Sequence, residues 1–403
     1  MPEAVIVANA RSPIGRVSKG SLRDLRPDDL AAQMIEAALS SVPQLDPTDI
    51  DDLLLGCAQP AGEAGFNMAR VVAILAGLHD VPGTTVNRYC ASSVQTTQMA
   101  LHAIRAGEGD VFISAGVETA SRFVNGTSDS WPNTKNPRFE SAGRRSEEDA
   151  GEGWKDPRLV GDLPDAYVSM GITAENVAQL MGVSRREQDE FAVRSQNLAE
   201  AATVSGFWQR EITPVTLPNG DKHGTDDCPR AGVTMESLGQ LKPVFRPDGT
   251  VTAGNCCPLN DGAAALVVMS DTKAKALGIT PLARIVSTAA TGVSPEIMGL
   301  GPVEATRKAL ARANMSINDI DLVEINEAFA AQVIPSAREL GIDFDKLNTH
   351  GGAIALGHPF GMTGARTTTT LIHALKEQDG QFGLQSMCVG GGQGMALILE
   401  RLS

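Results

Sequence analysis

The stretch HAIRAGEGDVFISAG at 102–116 can be laid beside HALKEQDGQFGLQSMCVGG at 373–391. Each leaves a helical pattern, turns through glycine and charge, and ends on an apolar, β-rich run, the texture of one helix–strand unit. DDLLLGC at 51–57 and DIDLVEIN at 319–326 occupy matching places upstream. Repetition of this kind predicts two like domains facing each other. Any two helix–strand units share this texture, so a chance likeness stays open on these residues alone.

Working outward, short apolar runs alternate with helical stretches. AVIVA at 4–8 precedes a helix-like PDDLAAQMIEAALSSV at 27–42; TTV at 84–86 precedes a helix over about 91–105 and then VFISAGVE at 111–118. From about 121 to 248 the texture changes to Pro, Gly, Asn and charge, with helical patterns at 172–182 and 185–205. Alternation resumes with AAALVVMS at 263–270, ARIVSTAA at 283–290, a helix near 302–313 and another after Gly364. The expectation is an α/β fold with a mostly parallel sheet covered on both faces. Its predicted parts are an N-terminal half over 1–120 completed by about 249–272, an inserted loop domain over 121–248, and a C-terminal half over 273–403.

Composition narrows the function classes. A formal charge of −14 without clustered Lys and Arg argues against a nucleic-acid partner, so an anionic ligand has to be held locally. The six cysteines, at 57, 90, 228, 256, 257 and 388, lack the spacing of a disulfide scaffold or of a zinc site, and no metal is expected. No run approaches the ~18 apolar residues of a membrane helix. The start lacks the pattern of a secretory signal, and the closing Ser403 is not part of a Ser-Lys-Leu address. A cytoplasmic protein without a membrane partner is the expectation.

Four strand-end segments carry chemistry. Cys90 stands where TTVNRY gives way to a helix, a place where first-turn N–H groups lower a thiol pKa; the competing account is a small core residue. His358 lies between Gly357 and Pro359 in a glycine-rich loop that leads into a helix, and with a nucleophilic cysteine elsewhere it forms a Cys–His hypothesis. Cys388 precedes Gly390-Gly391-Gly392, where exposed N–H groups suit an oxyanion. Asn326 ends another strand and could orient a water or a carbonyl; a plain turn or a helix N-cap is the competing account.

At these segments the chain resembles the thiolase family. NRYCASS at 87–93, NEAFAAQ at 326–332, GGAIALGHPFGMTGAR at 351–366 and CVGGGQGMA at 388–396 look like its signature blocks. RSPIG at 11–15, MGITAENVA at 170–178, TAGN at 252–255 and NDGAAA at 260–265 extend the resemblance along the chain. It implies two similar βαβαβ-type halves with a loop domain inserted in the first, and reversible, CoA-dependent cleavage of 3-ketoacyl-CoA to acetyl-CoA and a shortened acyl-CoA. In that scheme Cys90 is the acyl-accepting nucleophile, His358 its base and Cys388 the second acid/base. One oxyanion hole would come from His358 with a water on Asn326, the other from the N–H groups of Cys90 and Gly390.

CoA itself enters as co-substrate, with no permanently bound cofactor. The resemblance carries its contacts to Met170, Arg230, Ser237, Phe245, Ala253, Cys257, Met298, Ala328 and Phe329, with Arg230 as the local cation for phosphate. It also implies a homodimer or homotetramer. Two departures bear on substrate. Ser169 stands where acetoacetyl-CoA-forming members carry His, and Cys256-Cys257-Pro258 stands where many read Ala-Ser-Gly. Both lean toward the degradative, β-oxidation class, the alternative being an acetyl-CoA C-acetyltransferase.

Overall fold

The computed structural model describes residues 2–129, 131–148 and 153–403. Nine strands build the main sheet: β1 (Ala4–Arg11), β2 (Asp52–Gly56), β3 (Gly83–Val86), β4 (Val111–Thr119), β5 (Asn260–Ser270), β6 (Ala283–Gly292), β7 (Leu322–Ile325), β8 (Phe382–Val389) and β9 (Gln393–Arg401). A short strand, Gly15–Arg16, adds a tenth by pairing with β5. The spatial order is β7-β8-β9-β6-β1-β5-β4-β2-β3. Counted within each half in chain order, the N-terminal strands lie third, second, fourth, fifth, first. The C-terminal strands repeat this, with the parallel bridge Val323–Leu347 standing at the place of the third. The halves meet first strand to first strand, through Val5–Arg284 and Ile6–Ala283. The likeness of 102–116 to 373–391 is therefore a likeness of position, since both segments run into the fourth strand of a half.

The expected mostly parallel sheet is not what forms. Only β2–β3, β2–β4 and β7–β8 pair in parallel, whereas β1–β5, β4–β5, β8–β9, β9–β6 and β1–β6 are antiparallel. The reason lies in the fifth strand of each half. It enters β5 from the long segment after β4, and reaches β9 through a tight glycine hairpin, so neither uses the helical crossover that forces parallel pairing. Alternation in the sequence marks strands and helices but not these two returns.

Strand residues pack on both faces. Ile6, Leu54, Phe112, Leu266 and Val268 face one core, while their neighbours Val5, Val7, Leu53, Leu55, Ile113 and Val267 face another, as a period of two requires. The first core holds helices α3 (Ser92–Ala106) and α8 (Thr363–Glu377), which touch strands of both halves. Outside the N-terminal half lie α1 (Pro27–Ser40) and α2 (Met68–Leu75). Outside the C-terminal half lie α6 (Gly301–Ala313) and α7 (Ala330–Leu340). α3 and α8 are buried on nearly all sides, and their threonines make this tolerable by bonding back to the helix. Thr97 donates to Ser93 O at 2.9 Å, Thr368 to Gly364 O at 2.9 Å and Thr369 to Ala365 O at 3.0 Å.

Between β4 and β5 the described residues add no strand to the main sheet. They form α4 (Met170–Leu180), α5 (Arg185–Val204), shorter helices and one two-stranded ribbon. Arg11 of the RSPIG segment ties β1 to this stretch: fully buried, it meets Glu211 at 2.7 Å and Asp226 at 2.6 Å. No described helix is long and apolar enough to cross a membrane.

Candidate active site

The strand ends of the two halves place the sequence candidates around the amino ends of α3 and α8. Cys90 sits in the single 3-10 turn Tyr89–Ala91 that feeds α3. Asn326 follows β7, His358 lies in the loop before α8, Cys388 closes β8, and Gly390 opens the hairpin to β9. A cavity of about 350 Å³ has Cys90, Gly390, Gly391, Tyr89, Phe360, Met170 and Tyr167 among its lining residues. The sulfur of Cys90 lies within electrostatic reach of both Cys388 and Cys257.

His358 is held from three directions. Its backbone N–H donates to Asn260 Oδ1 at 2.9 Å, and Gly357 before it has a φ of 112° with no room for a Cβ beside Asn260. The ring Nδ1 lies 2.6 Å from Thr363 Oγ1, and that hydroxyl donates to Pro359 O at 2.8 Å. With its one proton committed, the hydroxyl can only accept, so Nδ1 bears the hydrogen and Nε2 the lone pair. Asn326 Nδ2, 3.2 Å away, then donates to Nε2. Burial, reinforced by the Arg366 cation, pushes the pKa of His358 down to about 3, so the imidazole is neutral at rest and its Nε2 lone pair is unprotonated.

For Cys90 the expectation of a lowered pKa is overturned. Burial dominates and pushes the thiol up to about 12, although the N–H groups of Gly390 and of Cys90 itself pull the other way. A helix amino end offers partial charges, and these do not outweigh enclosure in a dry site. The resting nucleophile is a thiol and needs a base to take its proton. Iodoacetamide labelling of Cys90 in the free protein should therefore keep accelerating with pH beyond about 9, the thiolate being scarce below that. A rate that levels off near pH 7 would mean the helix terminus prevails after all.

Cys388 is fully buried, and burial likewise raises its pKa, as does the charge of Cys90. The turn after it needs its glycines. A Cβ on Gly390 would crowd the Tyr89 ring at 3.3 Å, and Gly392, at a φ of 82°, lies against the Val293 carbonyl.

The residues assigned to CoA do not all meet. Arg230 and Ala253 line a narrow cleft with Arg16, Gln196, Cys228, Leu238 and Cys256. Cys256, not Cys257, borders that cleft; Cys257 lies within electrostatic reach of Cys256, Cys90 and Cys388 and donates its N–H to Ala328 O at 3.0 Å. Met170 faces the Cys90 cavity. Met298, Ala328 and Phe329 are buried in the core beneath α7, Phe245 packs edge-on against Phe329 at 6.2 Å, and Ser237 lies in the exposed turn Met235–Gly239. Ser169 borders a second cavity of about 410 Å³, which shares Lys135, Tyr167 and Val168 with the first.

Three polar residues of the site were not singled out from the sequence. Asn260 and Thr363 fix His358 as described. Glu327, fully buried, accepts from Ser195 Oγ at 2.6 Å, Asn348 Nδ2 at 2.8 Å and the N–H of Ile354 at 3.1 Å, which anchors the Asn326 turn to the loop ahead of His358. All three lie inside or beside quoted motif blocks, the one signal that could have flagged them. No group of His, Cys, Asp and Glu among the described residues could hold a metal ion.

Comparison with known proteins gives a consistent picture. Residues 4–272 match the thiolase N-terminal domain and residues 279–401 the thiolase C-terminal domain. The chain is 45% identical to the 3-ketoacyl-CoA thiolase of Aeromonas salmonicida and 46% identical to the 3-oxoadipyl-CoA/3-oxo-5,6-dehydrosuberyl-CoA thiolase of Escherichia coli, with 100% of each chain covered in both cases. The dimeric peroxisomal thiolase of Saccharomyces cerevisiae superposes with a TM-score of 0.89 at 34% identity, covering 99% of this chain and 97% of that one.

Proposed function

Since this chain belongs to the thiolase family, we propose that it is an acyltransferase that cleaves 3-ketoacyl-CoA with CoA, reversibly, through an acyl-Cys90 intermediate. The observation that carries this reading is the neutral His358, locked with its lone pair on Nε2, at a site where Cys90 is held as a thiol.

The steps follow from the groups present. Cys90 Sγ adds to the keto carbon as His358 Nε2 takes the thiol proton, and the N–H groups of Cys90 and Gly390 face the oxyanion on one side. The bond between the α-carbon and the former keto carbon breaks, its electron pair staying on the α-carbon of acetyl-CoA, where Cys388 delivers a proton. CoA then gives its thiol proton to the Cys388 thiolate and attacks the acyl thioester. Cys90 departs and recovers its proton from His358. Asn326, bonded to Nε2 at rest, is freed to donate to an oxyanion or to a water once that nitrogen is protonated.

Cys256, Arg230 and Ala253 border the approach assigned to CoA, and the segment 121–248 acts as the inserted domain that walls both cavities. The Saccharomyces cerevisiae relative is described as dimeric, which supports a homodimer here, with a homotetramer as the larger option. A cytoplasmic setting belongs to the same reading.

The degradative role is favoured by the second cavity. It shares the lining residues Lys135, Tyr167 and Val168 with the first, so a longer acyl group that passes this wall has room beyond it. Thiolysis measured from acetoacetyl-CoA to long 3-ketoacyl-CoA esters is expected to hold or rise with chain length. Activity confined to acetoacetyl-CoA would instead make the protein an acetyl-CoA C-acetyltransferase.

A further inference from the structure

Glu118 is the penultimate residue of β4, 2% exposed, and has no cation partner among the described residues. Four donors hold its carboxylate. Oε2 accepts from the N–H of Ala58 at 2.9 Å and the N–H of Gly361 at 3.0 Å; Oε1 accepts from the N–H of Gln59 at 3.2 Å and, more weakly, from the Cys57 thiol at 3.7 Å. Burial pushes the carboxyl up to about 7 in spite of these bonds.

The donors arrive from opposite halves. Residues 57–59 form the turn that leaves β2. Gly361 lies three residues beyond His358 on the loop into α8. The two chains run so close that a Cβ on Gly361 would overlap the carbonyl of Val117, and one on Gly116 would overlap the carbonyl of Gly361. The turn also shapes the acyl side of the site. Gln59 lines the Cys90 cavity, its Oε1 accepts from the N–H of Ser128 at 2.9 Å and of Asp129 at 3.2 Å, and its Nε2 donates to Asp129 at 2.7 Å.

We propose that Glu118 is a positioning residue of the reaction, one carboxylate that clamps the loop carrying His358 to the Gln59 wall of the acyl cavity. It rests on the reading of His358 as the base. Asn260 and Thr363 fix His358 within its own loop, and Glu118 sets where that loop stands against the half that carries Cys90. Such placement matters because an error near 1 Å in a catalytic contact costs on the order of 100-fold in rate.

The test is Glu118→Gln in the full-length protein. The amide keeps the shape but has a single acceptor oxygen, so at least one backbone N–H faces an NH₂ group. The expected result is a kcat for thiolysis lower by roughly 10- to 100-fold, with KM for CoA within about twofold, because the cleft of Arg230 and Ala253 shares none of the four donors. The Nδ1–H nitrogen NMR resonance of His358, read without turnover, is expected to shift or broaden. Glu118→Asp, which keeps the charge but cannot span both chains, should show the same split and stands in if the amide variant does not fold.

A kcat within about threefold of wild type would overturn the proposal. So would a kcat and KM for CoA that degrade together, or an unchanged His358 resonance. Wild-type silence on every ester would sink the thiolysis reading instead, and the resonance would still decide the role of Glu118.

Discussion

Cys90→Ala is expected to reduce thiolysis by on the order of 10⁴-fold or more while leaving the protein folded. Cys90 is 9% exposed and one atom larger than the replacement, so the cavity left behind costs about 1 kcal/mol, small against the stability of a domain of this size. Two further thiols, Cys257 and Cys388, stay within reach of the same point. The variant therefore asks whether position matters and not merely the presence of a thiol. Only Cys90 stands at the start of α3 with the Gly390 N–H directed at its sulfur, and only there can an oxyanion form against two backbone donors. A steady-state assay with each ester and CoA gives the answer. Activity above about a hundredth of wild type would mean that another residue accepts the acyl group.

Cys388→Ala should separate the two halves of the reaction. Cys388 is the acid that the mechanism assigns to the carbanion of departing acetyl-CoA, so C–C cleavage should fall roughly 10²- to 10⁴-fold. Transfer of an acetyl group from acetyl-CoA to Cys90 loses the Cys388 proton for the departing CoA, but a thiolate leaves unprotonated far more readily than a carbanion does, so this transfer should persist at a reduced rate. Exchange of labelled CoA into acetyl-CoA is thus expected to continue, while exchange of solvent deuterium into its methyl group disappears. Loss of both exchanges, or survival of both, would contradict the assignment of separate jobs to the two cysteines.

Both expectations rest on residues that were legible in the sequence, and the reason is local. Cys90, Asn326, His358 and Cys388 each stand in a short block where glycine, proline and polar neighbours interrupt an apolar run, so each announces a strand end or loop without knowledge of the rest of the fold. VFISAGVE and AAALVVMS read as strands for a similarly local reason, since β-branched runs bounded by turns have few other uses. Helix Ala330–Leu340 escaped notice because Pro335 interrupts its pattern and the functional block NEAFAAQ overlaps its start. Strand Gln393–Arg401 was hidden behind the glycines that precede it, which read as an end when they are a hairpin.

What sequence reading could not reach is long-range. Glu118 is the penultimate residue of a strand whose apolar run is plain in the sequence, yet its partner Gly361 is 243 positions away and nothing near Glu118 announces it. Thr363 settles the tautomer of His358 only because its own proton goes to Pro359 O, a fact of geometry within one loop. The pKa of Cys90 shows the limit most plainly. The helix amino end that argues for a lowered value is visible in the sequence, but the enclosure that raises it is made by hairpin, loop and helix together.

The most direct test of the account is to mix the protein with a 3-ketoacyl-CoA in the absence of free CoA and map the acylated peptide by mass spectrometry. The mechanism requires a mass increase equal to the shortened acyl group on the peptide containing Cys90, removed again when CoA is added. An acyl group found on Cys257 or Cys388, or turnover without any acylated peptide, would contradict it.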